Sequence, residues 1–288
     1  MTGHRVFLLI CAMLAAAGCA TPENRSTLAS SRGASVELPT AYHDDFFLVS
    51  TQVEGRSGLS FLLDTGASHT ILDDDIARSL PQGRFRRPGD RFRLRTLRAG
   101  SLEVENLEVL VHDMDTIAAS LGRPLAGILG YDAFEHHLLT LDYPGRSASV
   151  RVGSLPPPDG RTVFPLAAKG RAYFDLSIHG NRSTFLIDSG SSSCLGVIRP
   201  DRLRWRHAPS PIGASTTIRG RESRLAGQLD GEIRFGPVSL VDPIAYLDPD
   251  MSTVGTKVLR YLVLTFDARN GRIAIDAGDR TRIDWPRK

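Results

Sequence analysis

The sequence predicts a mainly β protein built from two homologous lobes related by a pseudo-two-fold axis. Three observations carry this. The chain beyond residue 38 consists of short alternating apolar and polar runs broken by Gly, Pro and Asp, the pattern of half-buried strands and turns. One segment repeats: Phe61-Leu62-Leu63-Asp64-Thr65-Gly66-Ala67-Ser68 recurs as Phe185-Leu186-Ile187-Asp188-Ser189-Gly190-Ser191-Ser192, 124 residues later. Flanking strings keep the register within one residue, since Val53-Glu54-Gly55 matches Ile178-His179-Gly180, Ile128-Leu129-Gly130 matches Thr253-Val254-Gly255, and Leu139-Thr140-Leu141-Asp142 matches Leu264-Thr265-Phe266-Asp267.

The elements follow in order. Arg5 precedes an uninterrupted apolar run from Val6 to Ala17, too short to span a bilayer, which needs roughly 20 residues, and of the length of a signal-peptide core. Residues 1–18 are read as this signal, ending in Leu14-Ala15-Ala16-Ala17-Gly18 before Cys19. Residues 19–38, rich in Ser, Thr, Arg, Gly and Pro, read as a solvated tether. The first lobe is assigned to 39–155, with strands expected at Phe47–Val53, Leu102–Val111 and Ala148–Val152. Pro156-Pro157-Pro158-Asp159-Gly160 is a natural linker, and the second lobe follows at 160–288, with a strand at Arg272–Ile275. Short helices are expected at Asp73–Leu80, Ala133–Leu139 and Lys257–Leu262; the first opens on three aspartates that suit a helix N-terminus. Gly213–Arg224 reads as a hairpin ahead of a strand at Gly231–Phe235, and the arginine-rich stretch Arg84–Arg98 occupies the equivalent place in the first lobe. That stretch is either a second hairpin favouring acidic or polar substrate segments or a solvated basic face.

Composition narrows the function. With 288 residues, 41% hydrophobic and 23% charged, the chain is long enough for two lobes with real cores. A formal charge of +3 is too mild to argue for a nucleic-acid partner. Cys11 leaves with the signal and Cys19 stands at its end, so Cys194 is the one thiol in the folded part and no intrachain disulfide is expected.

In each repeat three apolar residues lead a buried strand to an aspartate, and the following Gly admits a backbone path that a side chain would obstruct. Burying one such carboxylate costs desolvation energy. Burying two on a pseudo-two-fold axis offers a gain. Carboxyls about 3 Å apart share one proton, so the ionised member takes a proton from water while the protonated member donates to a carbonyl oxygen. The pair titrates as a unit. Asp64 and Asp188 are therefore the candidate catalytic residues.

Asp64-Thr65-Gly66-Ala67-Ser68 and Asp188-Ser189-Gly190-Ser191-Ser192, each followed by a short element ending in Gly130 or Gly255, resemble the motifs of pepsin- and retropepsin-like aspartic peptidases. The resemblance spans residues 40 to 280 and implies two retropepsin-like (acid protease) β-barrel lobes. It implies an aspartic endopeptidase that acts on protein or peptide substrates and needs no cofactor and no metal. It also implies that Thr65 and Ser189 bond across the two loops, and that Gly66 and Gly190 bring backbone amides to the carboxylates. Ser191 would keep a supporting hydroxyl that Ala67 lacks. The missing donor at Ala67 shifts the expected working pH toward mildly acidic to neutral. No tyrosine stands between Tyr42 and Tyr131, where pepsins carry their flap tyrosine. With both aspartates in one chain, a monomer is expected. The alternative is a non-catalytic peptide-binding or scaffold protein that keeps the fold.

Residues 14–19 resemble the lipobox of bacterial lipoproteins. This implies a lipid on Cys19, a membrane partner through that anchor, and a place on the periplasmic side of the cell envelope. Ala20, in place of an aspartate, favours the outer membrane. A plain secretory signal is the alternative. Other residues carry weaker signals. His69 is absent from the repeat and reads as a surface or packing histidine, Cys194 as a buried small hydrophobe, and His136-His137 lacks a metal-spaced partner. No Gly-x-Ser-x-Gly elbow surrounds either motif.

Overall fold

The computed structural model describes residues 7–8, 24–28, 33–81, 87–168, 170–217 and 220–286. The signal segment and Cys19 lie outside the described residues, apart from Phe7 and Leu8, whose backbone pairs in parallel with Ser215 and Thr216. Most of the chain is strand, arranged as one sheet per lobe and a third sheet shared between them.

Each lobe starts from the same hairpin. In the first lobe, Phe46–Val53 pairs antiparallel with Arg56–Leu63; in the second, Tyr173–Ile178 pairs with Asn181–Ile187. The turns between them have the same shape. Glu54 and Gly55 both take positive φ (50° and 87°), as do His179 and Gly180 (50° and 81°), the conformation of a tight hairpin whose twist matches the strands. The second strand of each hairpin then pairs in parallel with the short strand that ends at the later glycine. Leu62 and Leu63 face Ile128 and Leu129, and Leu186 and Ile187 face Thr253 and Val254. The sequence repeat is thus a repeat of hydrogen bonding.

The two lobes meet on a six-stranded sheet in which Leu138–Asp142 pairs antiparallel with Val263–Asp267. Thr140 faces Thr265, with their hydroxyls 2.9 Å apart. These residues are equivalent in the repeat, so the pseudo-two-fold axis passes between them. Outer strands Ser147–Arg151 and Arg272–Asp276 flank the pair on either side.

A continuous apolar core runs through both lobes, from Phe47, Phe61, Leu94 and Val104 to Phe174, Phe185, Phe235 and Phe266. A smaller cluster of Phe46, Leu48, Leu62, Ala67, Ile71 and Ile128 is covered by Ile117 and Leu121 of the helix Asp115–Leu121, which closes on Gly122 in the left-handed conformation (φ 65°). Tyr131 of the first lobe stacks edge-on against Phe266 of the second, with ring centroids 5.8 Å apart. Across the same interface, Lys257 Nζ donates to Asp45 Oδ2 at 3.0 Å and Arg260 lies 3.2 Å from the same oxygen.

Several expectations are corrected. Ala133–Leu139 is not a helix. A 3-10 turn at Tyr131–Phe134 is followed directly by the strand Leu138–Asp142, because Leu138, Leu139 and Leu141 are claimed by the shared sheet. The helix Asp115–Leu121 lacked a strong apolar period and was not anticipated. The tether does not lie free along its length: Arg25–Leu28 forms a strand on Leu102–His112, and Val36–Glu37 pairs with Ser149–Val150. The aspartates at 73–75 do open a helix, Asp74–Ser79, with Asp73 Oδ1 accepting from the amides of Asp75 and Ile76.

Candidate active site

Asp64 and Asp188 lie at the ends of the equivalent strands Arg56–Leu63 and Asn181–Ile187, and both are fully buried. Their backbones are fixed in the same way, since Asp64 N donates to Leu129 O at 3.0 Å and Asp188 N to Val254 O at 2.9 Å. Three apolar residues sink each strand into the core and carry the aspartate inward with it.

The loops after the aspartates interlock across the axis. Thr65 Oγ1 donates to Ile187 O at 2.7 Å and accepts from Ser189 N at 3.2 Å. Reciprocally, Ser189 Oγ donates to Leu63 O and accepts from Thr65 N, both at 2.9 Å. Each hydroxyl thus satisfies a carbonyl and an amide of the opposite loop, so four buried backbone groups depend on two side chains. This is the contact expected of Thr65 and Ser189.

Gly66 and Gly190 fill the space between loops and carboxyls. Gly66 N donates to Asp64 Oδ1 at 2.7 Å, and Gly190 N to Asp188 Oδ1 at 2.9 Å. A Cβ on Gly66 would lie 2.7 Å from Asp188 Cγ, and one on Gly190 would lie 2.5 Å from Asp64 Cγ. Each glycine therefore sits against the carboxyl of the other lobe, where no side chain fits. The later glycines do the same for the loops: a Cβ on Gly130 would meet His69 C and O at 2.6 Å, and one on Gly255 would meet Ser193 O at 2.5 Å. Beneath the first loop, Asp132 accepts from Thr70 N and Thr70 Oγ1, which fastens the segment after Gly130 to the strand after the motif.

Electrostatics follow from burial and proximity. Both carboxyls titrate above the usual aspartate range. For Asp64 the main cause is desolvation, opposed by hydrogen bonds from Gly66, Asp188, Ala67 and Gly190. For Asp188 it is desolvation and then the Asp64 charge beside it, with Asp248 adding to the rise. The Asp64 charge beside Asp188 disfavours ionising both, so the pair holds a proton more readily than an isolated aspartate does. Asp64 Oδ2 is buried and accepts no N–H or protein hydroxyl hydrogen among the described residues.

Ser191 departs from expectation. Its hydroxyl pairs with Ser193 Oγ at 2.8 Å and accepts from Ser193 N, so it supports its own loop instead of a carboxylate. The cause is local: Thr256 N bonds to Ser191 O and Lys257 N to Ser193 O, which turns this stretch toward the element after Gly255. His69 bonds to Ser68 Oγ, and burial lowers its pKa, as expected of a packing histidine. Cys194 is buried with its thiol pushed upward by desolvation.

A long hairpin extends from the second lobe. Trp205–Thr217 pairs with Gly220–Leu229, and Ser120 Oγ of the first-lobe helix donates to Thr216 Oγ1 at 2.7 Å, so the hairpin bridges the lobes. In the first lobe, the described part of the arginine-rich stretch is a strand, Arg91–Ala99, held between Phe46–Val53 and Leu102–His112. Arg91, Arg95 and Arg98 pair with Glu108, Glu54 and Glu103, which makes this stretch a solvated, charge-balanced face. Sequence reasoning missed Asp45 and its partners Lys257 and Arg260; the signal available was that Lys257 is one of three lysines in the chain.

Residues 49–133 match the family model described as aspartyl protease, a span that holds the first motif, Gly130 and Asp132. No curated protein matches the chain. Over residues 49–133 the chain is thus similar to aspartyl proteases, and the mainly β fold is consistent with two retropepsin-like barrel lobes.

Proposed function

We propose that the protein is an aspartic endopeptidase in which Asp64 and Asp188 activate a water molecule between them. The observation that carries this reading is the reciprocal Thr65–Ser189 interlock, which brings two buried carboxyls from opposite lobes together. The ionised member takes a proton from water as the oxygen attacks the scissile carbonyl carbon. The protonated member donates to the carbonyl oxygen, giving a tetrahedral diol. Return of a proton to the amide nitrogen lets the C–N bond break and the amine leave. The inner oxygens are pinned by Gly66 N and Gly190 N, so the reacting geometry is set before substrate arrives. No covalent intermediate on the protein is required.

With both carboxyls raised by burial, the singly protonated pair is expected at mildly acidic to neutral pH. We extend the reading to a lipoprotein of the bacterial envelope, cleaved before Cys19 and acylated there, on the strength of residues 14–19 and Ala20. The test is cleavage of a peptide library by the wild type and by Asp64→Asn and Asp188→Asn. Loss of cleavage in both variants, with a bell-shaped profile centred above strongly acid pH, is the expected result. Undiminished turnover in either variant would overturn the mechanism.

A further inference from the structure

We propose that residues 24–28 clamp the anchored N-terminus to the first lobe, so that a lipid on Cys19 holds one face of the molecule, around Asn106, Glu135 and His136, against the membrane. This rests on the lipoprotein reading and adds an orientation to it.

Read as sequence, residues 19–38 are a solvated tether that would let the body swing up to about 65 Å from its anchor when fully extended. The structure removes most of that freedom. Arg25–Leu28 pairs antiparallel with Leu102–Glu105 over four residues, and Leu28 packs on the core. Side chains lock the strand in register. Ser26 Oγ meets His137 Nδ1 at 3.1 Å, His136 Nε2 meets Asn24 O at 2.9 Å, and Asn24 Nδ2 donates to Asp132 O at 3.0 Å. Val36–Glu37 is fastened a second time, to Ser149 and Val150. The adjacent histidines 136 and 137, which suggested no role in the sequence, thus hold the clamp.

Only five residue steps separate Cys19 from Asn24, which at about 3.5 Å each reach no further than about 17 Å. Because the strand runs antiparallel to Leu102–His112, the chain leading back from Arg25 leaves over Asn106 and the turn Tyr131–Phe134, and that end of the lobe must face the lipid.

The test uses the lipidated full chain in phosphatidylethanolamine–phosphatidylglycerol vesicles carrying an acceptor lipid. Cys194 is buried, so a surface cysteine takes a donor fluorophore, placed by Glu135→Cys near the clamp or by Asn181→Cys on the hairpin turn of the second lobe. Energy transfer to lipid is expected to be several-fold higher from position 135. The difference should collapse in Ser26→Pro/Thr27→Pro, and also when a long Gly-Ser spacer is inserted between residues 23 and 24 with the strand left intact. The alternate amides of 25–28 that bond to Leu102–Glu105 should be protected from hydrogen exchange in the unaltered chain. Equal transfer from both positions in a chain whose lipid is verified by mass spectrometry, or no protection at those amides, overturns the clamp. An unmodified Cys19 overturns the anchor reading instead, so the two failures are told apart.

Discussion

Replacing Gly190 with alanine tests the site geometry most directly. The new Cβ would lie 2.5 Å from both Cγ and Oδ2 of Asp64 and 2.8 Å from Oδ1. Ordinary carbon contacts are about 3.5–4.0 Å, so roughly 1 Å of displacement is required. The backbone of Gly190 is tied to Asp188 through its amide, and its loop to the first lobe through Ser189. Asp64 is held by Gly66 N at 2.7 Å. Nothing at this contact is the free end of a flexible side chain. Overpacking of this kind costs about 1–3 kcal/mol in stability. A reacting group moved by about 1 Å loses on the order of 100-fold in rate. The assay is kcat/KM on a quenched peptide that the wild type cleaves, alongside urea denaturation. Gly180→Ala is the control, because it strains a hairpin turn (φ 81°) with nothing within 4 Å, and should lower stability while sparing kcat. A Gly190→Ala enzyme with kcat/KM close to the wild-type value would refute the account of how the carboxyls are held.

Asp64→Asn and Asp188→Asn should abolish cleavage yet raise the melting temperature at pH 8. Each wild-type carboxyl has a folded pKa above its unfolded one, so between those values the folded state binds more protons and stability falls as pH rises. Asparagine cannot ionise, and the advantage should vanish toward pH 3; a gain independent of pH, or no gain, would contradict it. Thr65→Val strands the carbonyl of Ile187 and the amide of Ser189, at about 1–3 kcal/mol each. Urea midpoints should fall accordingly, and an unchanged midpoint would show that the interlock contributes nothing. Asp45→Asn weakens the cross-lobe contact with Lys257 and Arg260, both partly solvated, by about 1 kcal/mol. The resulting loss in melting temperature should shrink at high salt, where the ion pair is already screened.

The repeat was legible because hydrogen bonding and burial impose the same residue types twice. Three apolar residues, an aspartate, a hydroxyl and a glycine are each demanded by a local requirement, and a local requirement leaves a local string. The helix start at Asp73 was readable for the same reason. What the sequence could not carry were contacts between distant segments. Leu138, Leu139 and Leu141 suit a helix or a strand by apolar content alone, and only the antiparallel partner Val263–Asp267 selects the strand. Ser191 offers a hydroxyl to any acceptor in reach, and the pull of Thr256 and Lys257 on its loop decides which one it meets. Residues 25–28 look like linker because four polar-rich residues bury little by themselves, and an open sheet edge with two histidines beside it turns them into a strand. The amino-acid sequence by itself determined two lobes and two aspartates. The tertiary structure decided that the aspartates are buried side by side, which hairpin bridges the lobes, and which face residues 25–28 are tied to, because each depends on where a second segment lies in space.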